Sequence, residues 1–219
     1  MTISIIRDTR ISGFARHILF AAVVACAALA AGAAHAQSDV AQRIAEHFSS
    51  MRTMTGEFVQ FGPRGEQSGG KFYLERPGKI RFDYQGDARF RVVSDGTSVI
   101  LENRKMNTVD IYSLGQTPLK VLLADRIDLS GSKVQSVDVQ EDVTTIRFVD
   151  KKLFGDTTIT MMFDSDSYEL RQWTVTDAQG RDTTVMLFNV QRGVTFDPSV
   201  FHIDYRRVNE INRANSNRN

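Results

Sequence analysis

Lys71-Phe72-Tyr73-Leu74-Glu75-Arg76-Pro77-Gly78-Lys79-Ile80-Arg81-Phe82-Asp83-Tyr84 decides the fold class. Phe72 and Leu74 share a face. After the Pro77-Gly78 break, Ile80, Phe82 and Tyr84 share another, with Lys79, Arg81 and Asp83 opposite. A period of two is the signature of a strand with one oily face, and Pro-Gly punctuates a turn. Phe90 and Val92 continue the pattern into Ser94-Asp95-Gly96, a second turn signal. Working outward, the same reading predicts strands over 98–101, 108–112, 133–139, 144–149, 157–163, 170–176, 183–190 and 201–205. Phe163-Asp164-Ser165-Asp166 and Asp177-Ala178-Gln179-Gly180 are turns between them. Short links without intervening helices imply an antiparallel meander, a mostly β protein.

Two helices interrupt this pattern. Val40, Ile44, Phe48 and Met51 recur at helical spacing after Ser38, an N-cap residue, and Asp39, which suits the first turn. Thr117-Pro118 reads as N-cap and first helical position, with Leu119, Leu122 and Leu123 on one face and a loop or further turn from Asp125 to Ser130. Both stripes need an apolar surface to lie on, and an oily sheet face supplies one. Residues 206–219 hold only Val208 and Ile211 as large apolar groups and read as a disordered polar tail.

The first 36 residues differ in kind. Arg7, Arg10 and Arg16 precede an apolar run from Ile18 to Ala31 and an Ala34-His35-Ala36 cleavage signal, the pattern of a secretory signal peptide. The run is too short for a bilayer span. Val23-Val24-Ala25-Cys26 offers an alternative, a lipid-anchored start at Cys26. The longer run and the conventional site beyond it favour a soluble exported domain, residues 37–205 plus the tail. Residues 1–36 hold Arg7, Arg10, Arg16 and Asp8 as their charged side chains, so 27 basic and 26 acidic groups fall to 24 and 25. With no basic excess, nucleic acid is not an expected partner. Cys26, the one cysteine, leaves with the leader, taking thiol chemistry and disulfides with it.

Candidate catalytic groups are sparse. His47 and His202 lack a metal-ligand or triad partner in the pattern, and Asp164/Asp166 and Glu141/Asp142 fall in turns, where Asp serves the backbone. No enzyme, metal or cofactor is expected. The informative feature is aromatic: once Phe14 and Phe20 leave with the leader, 18 of the 14 Phe, 5 Tyr and 1 Trp remain, many in phase along the early strands. Two readings stand open, a packed β core and a curved sheet enclosing an oily cavity. Met161, Met162 and Met186 suit either.

Several stretches resemble the periplasmic outer-membrane lipoprotein carriers, the LolA family. They are Thr55-Gly56-Glu57-Phe58-Val59-Gln60, Gly70 to Phe82, Val93-Ser94-Asp95-Gly96, Thr117-Pro118-Leu119, Leu170 to Thr184 and Phe196-Asp197-Pro198-Ser199-x-Phe201. Each is short; together they follow family order across nearly the whole exported chain. The resemblance implies an unclosed, curved antiparallel half-barrel with short helices covering its mouth. It implies a periplasmic carrier that takes acylated lipoproteins from an inner-membrane ABC transporter and shields their acyl chains; a carrier with a closing lid works naturally as a monomer. Delivery is to an outer-membrane receptor or to the outer membrane directly. Arg76 matches the family's arginine that hydrogen-bonds the lid in the empty form, and Ile80 an inward apolar position near the mouth. The implied acyl cavity is formed by Phe58, Phe72, Leu74, Ile80, Phe82, Tyr84, Phe90 and Val92. Its lid carries Val40, Ile44, Phe48, Leu119, Leu122 and Leu123. Phe82 stands where members often have tryptophan, and a further Pro-containing strand is absent after Phe201. A lipid- or lipoprotein-sensing or lipid-transport domain of the same fold is the alternative.

Overall fold

The computed structural model describes residues 39–86, 90–127, 134–149 and 155–217. The leader, Ser38 and Cys26 lie outside them, and residues 40–219 group as one compact unit. Helix α1 (39–50) comes first. Six strands follow, β1 (Thr53–Phe61), β2 (Gln67–Glu75), β3 (Lys79–Tyr84), β4 (Phe90–Asp95), β5 (Ser98–Asn103) and β6 (Thr108–Ser113). A 3-10 turn (Leu114–Gln116) and the short helix α2 (Leu119–Leu122) lead to five more strands. These are β7 (Val134–Val139), β8 (Val143–Val149), β9 (Thr158–Asp164), β10 (Leu170–Thr176) and β11 (Asp182–Arg192). A 3-10 turn (Pro198–Phe201) and helix α3 (Tyr205–Ser216) close the chain.

The strands form one antiparallel sheet in the order β6-β5-β4-β3-β2-β1-β11-β10-β9-β8-β7, so β6 and β7 are its two edges and it does not close. It is strongly curved. Phe82 on β3 and Trp173 on β10 are four strand spacings apart, about 19 Å if flat, yet their ring centroids lie 6.1 Å apart. On the concave face, register carries Met54 opposite Leu74 and Leu74 opposite Ile80, and these residues are buried in the main core with Ile44 and Phe48 of α1 and Leu122 and Leu123 at α2. The Met161–Met162 alternation resolves cleanly: Met161 faces this core, opposite Trp173, while Met162 and Met186 lie on the outer face around Gln172.

Helix α3 replaces the disordered tail expected over residues 206–216, and the 3-10 turn before it replaces the strand expected over 201–205. Asp197 accepts from Ser199 N at 2.8 Å with Pro198 at the first position, which starts a 3-10 turn ending at Phe201. Asp204 then caps α3 by accepting from Arg207 N at 3.1 Å. Val208 and Ile211, three apart, share one helical face and pack with Ile203 on Val93, Ile100 and Val109. Those three belong to the convex phase of β4–β6, so the sheet has a second, smaller core outside the first. Glu102, also on that face and buried, binds Arg91, Arg104 and Arg207, which ties α3 to the strands. Tyr205 adds a hydroxyl bond to Asp95 at 2.7 Å. Ile211→Ala is therefore expected to cost about 2 kcal/mol and lower the thermal midpoint by ~4–8 °C. An unshifted melting curve would show that α3 contributes nothing to the fold.

The start of α2 also differs. Pro118 occupies the cap position, and Thr117 Oγ1 turns back to Leu114 O at 3.0 Å, closing the preceding 3-10 turn instead of capping the helix. The expected turns at Asp95, Asp164 and Asp177 are present, each carboxylate accepting backbone N–H groups two or three residues on. Among the described residues no helix is long and apolar enough to cross a membrane.

Candidate functional site

The concave face has two zones. In the first, Phe58, Phe72, Leu74 and Ile80 are fully buried and belong to the main core together with residues of α1 and α2. In the second the packing is incomplete and leaves an open cavity of about 490 Å³, within the size range of small-molecule sites. Phe82, Tyr84, Phe90 and Val92 line it. The opposite wall consists of Ile159, Trp173, Val175 and Val185, with Val99, Leu101 and Tyr112 from β5 and β6 and Leu119 of α2 along the side. The strand-by-strand reading missed that opposite wall. Its residues were in phase, but only the curl of the sheet brings β9–β11 over β3–β5. The lining is mostly apolar. Exceptions include Gln60 and Tyr84, where the Tyr84 hydroxyl donates to Gln60 Oε1 at 2.7 Å. Burial pushes that phenol up to about 12, so it stays neutral.

Where the two helices meet the sheet, one cation holds them. Arg76 ends up buried at the C-terminal turn of β2. Its Nε donates to Met51 O at 3.2 Å, just past α1, and its Nη1 to Leu122 O at 2.7 Å and, at 3.5 Å, to Ala124 O, at the end of α2. Helix ends leave carbonyls without intrahelical partners, and a guanidinium with five donors suits several at once. The guanidinium carbon lies 4.0 Å from the centroid of the Phe48 ring, a cation–π arrangement. Nη2 is buried without a partner among the described residues. Burial pulls the group down to about 10, with Arg52 acting in the same direction, which leaves it charged at neutral pH. Other polar contacts among the described residues of this region are an exposed Arg52–Asp125 ion pair, Arg76 N to Arg52 O at 2.7 Å, Ile127 N to Ser49 Oγ at 3.1 Å, and Gly78 N to Leu123 O at 2.9 Å. Gly78 has φ +81, and a Cβ there would meet Gly96 Cα at 2.7 Å, so the turn that presents Arg76 to α2 requires glycine.

Of the expected lid residues, Ile44 and Phe48 are buried against the core, Phe48 edge-on to Phe163 at 5.4 Å, and Val40 packs at its margin. Leu122 and Leu123 are enclosed, while Leu119 faces the cavity. His47 stacks edge-on to Tyr168 and His202 is exposed; neither faces the cavity. Among the described residues no cluster of three His, Cys, Asp or Glu side chains could hold a metal ion.

Residues 49–204 match the family described as "Outer membrane lipoprotein carrier protein LolA". The chain belongs to the LolA family. Outer-membrane lipoprotein carrier proteins of Methylococcus capsulatus and Pseudomonas aeruginosa are similar to it, each 28% identical. The first aligns over 77% of this chain and 85% of its own length, the second over 83% and 91%. A solved LolA superfamily protein from Nitrosomonas europaea shares 10% identity at a TM-score of 0.43, covering 75% of this chain and 98% of its own. LolA-family proteins are carriers, not enzymes.

Proposed function

We propose that the protein is a periplasmic lipoprotein carrier. It accepts acylated lipoproteins released from the inner membrane by an ABC transporter, shields their acyl chains in the concave cavity, and delivers them to an outer-membrane receptor or to the membrane itself. The observation that carries this reading is an open apolar cavity of about 490 Å³ bordered by a helix whose end is held by Arg76 through carbonyl hydrogen bonds. The energetics favour a container: each CH₂ of an acyl chain exposed to water costs about 0.8 kcal/mol. No hydrolysis is needed on this chain, because cargo that fits only the open form shifts the lid equilibrium by binding. Cargo would displace α2 and the Arg76 contacts, and unloading would restore them.

The test is mass spectrometry of the protein purified from periplasm without detergent, before and after exposure to inner-membrane vesicles loaded with lipoprotein. A stoichiometric complex with acylated lipoprotein is expected. Protein that stays empty, or carries phospholipid alone, overturns the reading.

A further inference from the structure

Within the apolar wall the Gln60–Tyr84 pair stands apart. Gln60, near the end of β1, lies opposite Val185 of β11 and faces inward. Its amide oxygen is taken by the Tyr84 hydroxyl at 2.7 Å, which leaves the two N–H groups of Nε2 as donors at the cavity. The donor is held in place. The Tyr84 ring is clamped edge-on by Phe58 at 4.9 Å and by Phe90 at 5.1 Å, and its hydroxyl fixes the amide in turn. Thr117, another polar residue of the lining, spends its hydroxyl proton on Leu114 O, and Tyr112 and Thr183 add hydroxyls to the lining, but among the described residues no hydrogen bond orients either as Tyr84 orients the Gln60 amide.

We propose that Gln60 is a carbonyl-recognising subsite: its amide N–H groups, oriented by Tyr84, bind the ester or amide carbonyl at the head of an acyl chain whose tail lies along Leu101, Val99 and Trp173. The proposal rests on the carrier reading and refines it. An acyl chain differs from an alkyl chain only in that carbonyl. A cavity that removes the chain head from water must supply a hydrogen bond or leave the oxygen unsatisfied. With that bond, the site selects acyl groups over hydrocarbons of equal length.

The experiment compares two synthetic cysteine lipopeptides, one with hexadecanoyl ester chains on its glyceryl group and one with hexadecyl ether chains. Each is titrated without detergent against the fluorescence of Trp173, the chain's single tryptophan. Wild-type protein is expected to prefer the ester by about five- to tenfold, the worth of one neutral hydrogen bond. In Gln60→Leu the preference falls to about one. In Tyr84→Phe, which keeps the clamped ring, it falls part of the way. Equal binding of ester and ether by the wild type overturns the subsite and leaves the carrier reading intact. So does a preference that survives in Gln60→Leu. Failure to bind either lipopeptide overturns both.

Discussion

Arg76→Leu is expected to load lipoprotein normally and to release it about 10²–10³-fold less readily. The side chain makes two good hydrogen bonds, to Leu122 O and Met51 O, and a longer one to Ala124 O. A bond from a charged donor contributes about 1.5–3 kcal/mol, so the closed, empty form loses roughly 3–4 kcal/mol after allowing for the unsatisfied Nη2 and the desolvation of the cation. Leucine can still cover Phe48, which limits the cost to the core. If the loaded form lacks those bonds, it is unaffected, and the whole difference appears as tighter retention of cargo, a factor of ten for each 1.4 kcal/mol. The measurement is transfer of lipoprotein from loaded protein to outer-membrane vesicles. Arg76→Lys should fall between, because an ammonium cannot span carbonyls on two helices with fixed geometry. Transfer by Arg76→Leu at the wild-type rate would remove Arg76 from the lid mechanism.

The strands around Phe72 and Phe82 were legible because a period of two is imposed by the pleat itself, whatever the sheet later packs against. Helix α3 was not, since its evidence lies elsewhere in the chain. Val92-Val93 and Val99-Ile100 are apolar on successive positions, which sends bulk to both faces and signals a sheet covered on both sides. Two apolar residues in α3 suffice only because Val93, Ile100 and Val109 already form a surface for them. Arg76 was placed by resemblance alone; nothing local distinguishes it from a surface arginine, and its burial depends on α1 and α2 arriving from far along the chain. The cavity posed a different problem. Ile80 and Val92 have the same inward phase, and phase cannot say which of two inward residues the helices cover. That depends on how far the sheet curls and on where α2 ends.

Ile80→Glu and Val92→Glu should therefore have opposite phenotypes. Ile80 is 1% exposed, between Leu74 and Ser94 on neighbouring strands, with no water to solvate a carboxylate. The new group must be buried charged or neutralised by protonation, and the lost apolar contacts add to that. A cost of about 4–5 kcal/mol or more is comparable to the total stability of many domains, about 5–15 kcal/mol. Ile80→Glu is expected to be unfolded or readily proteolysed, so any loss of carrier function in it is a folding defect. Val92, by contrast, is half-buried and lines the open cavity. A glutamate there can reach water and is expected to lower stability by about 1 kcal/mol, in the range of ordinary substitutions. It also puts a charge where acyl methylenes must lie, which should cut lipopeptide binding by at least tenfold. Thermal melts followed by circular dichroism separate the two cases, and lipopeptide titration of the folded variant completes the comparison. A native-like melt for Ile80→Glu would move Ile80 out of the core and into the cavity. Normal loading of a folded Val92→Glu would mean that acyl chains do not occupy the space beside Val92, and the cavity would lose its claim to be the acyl site.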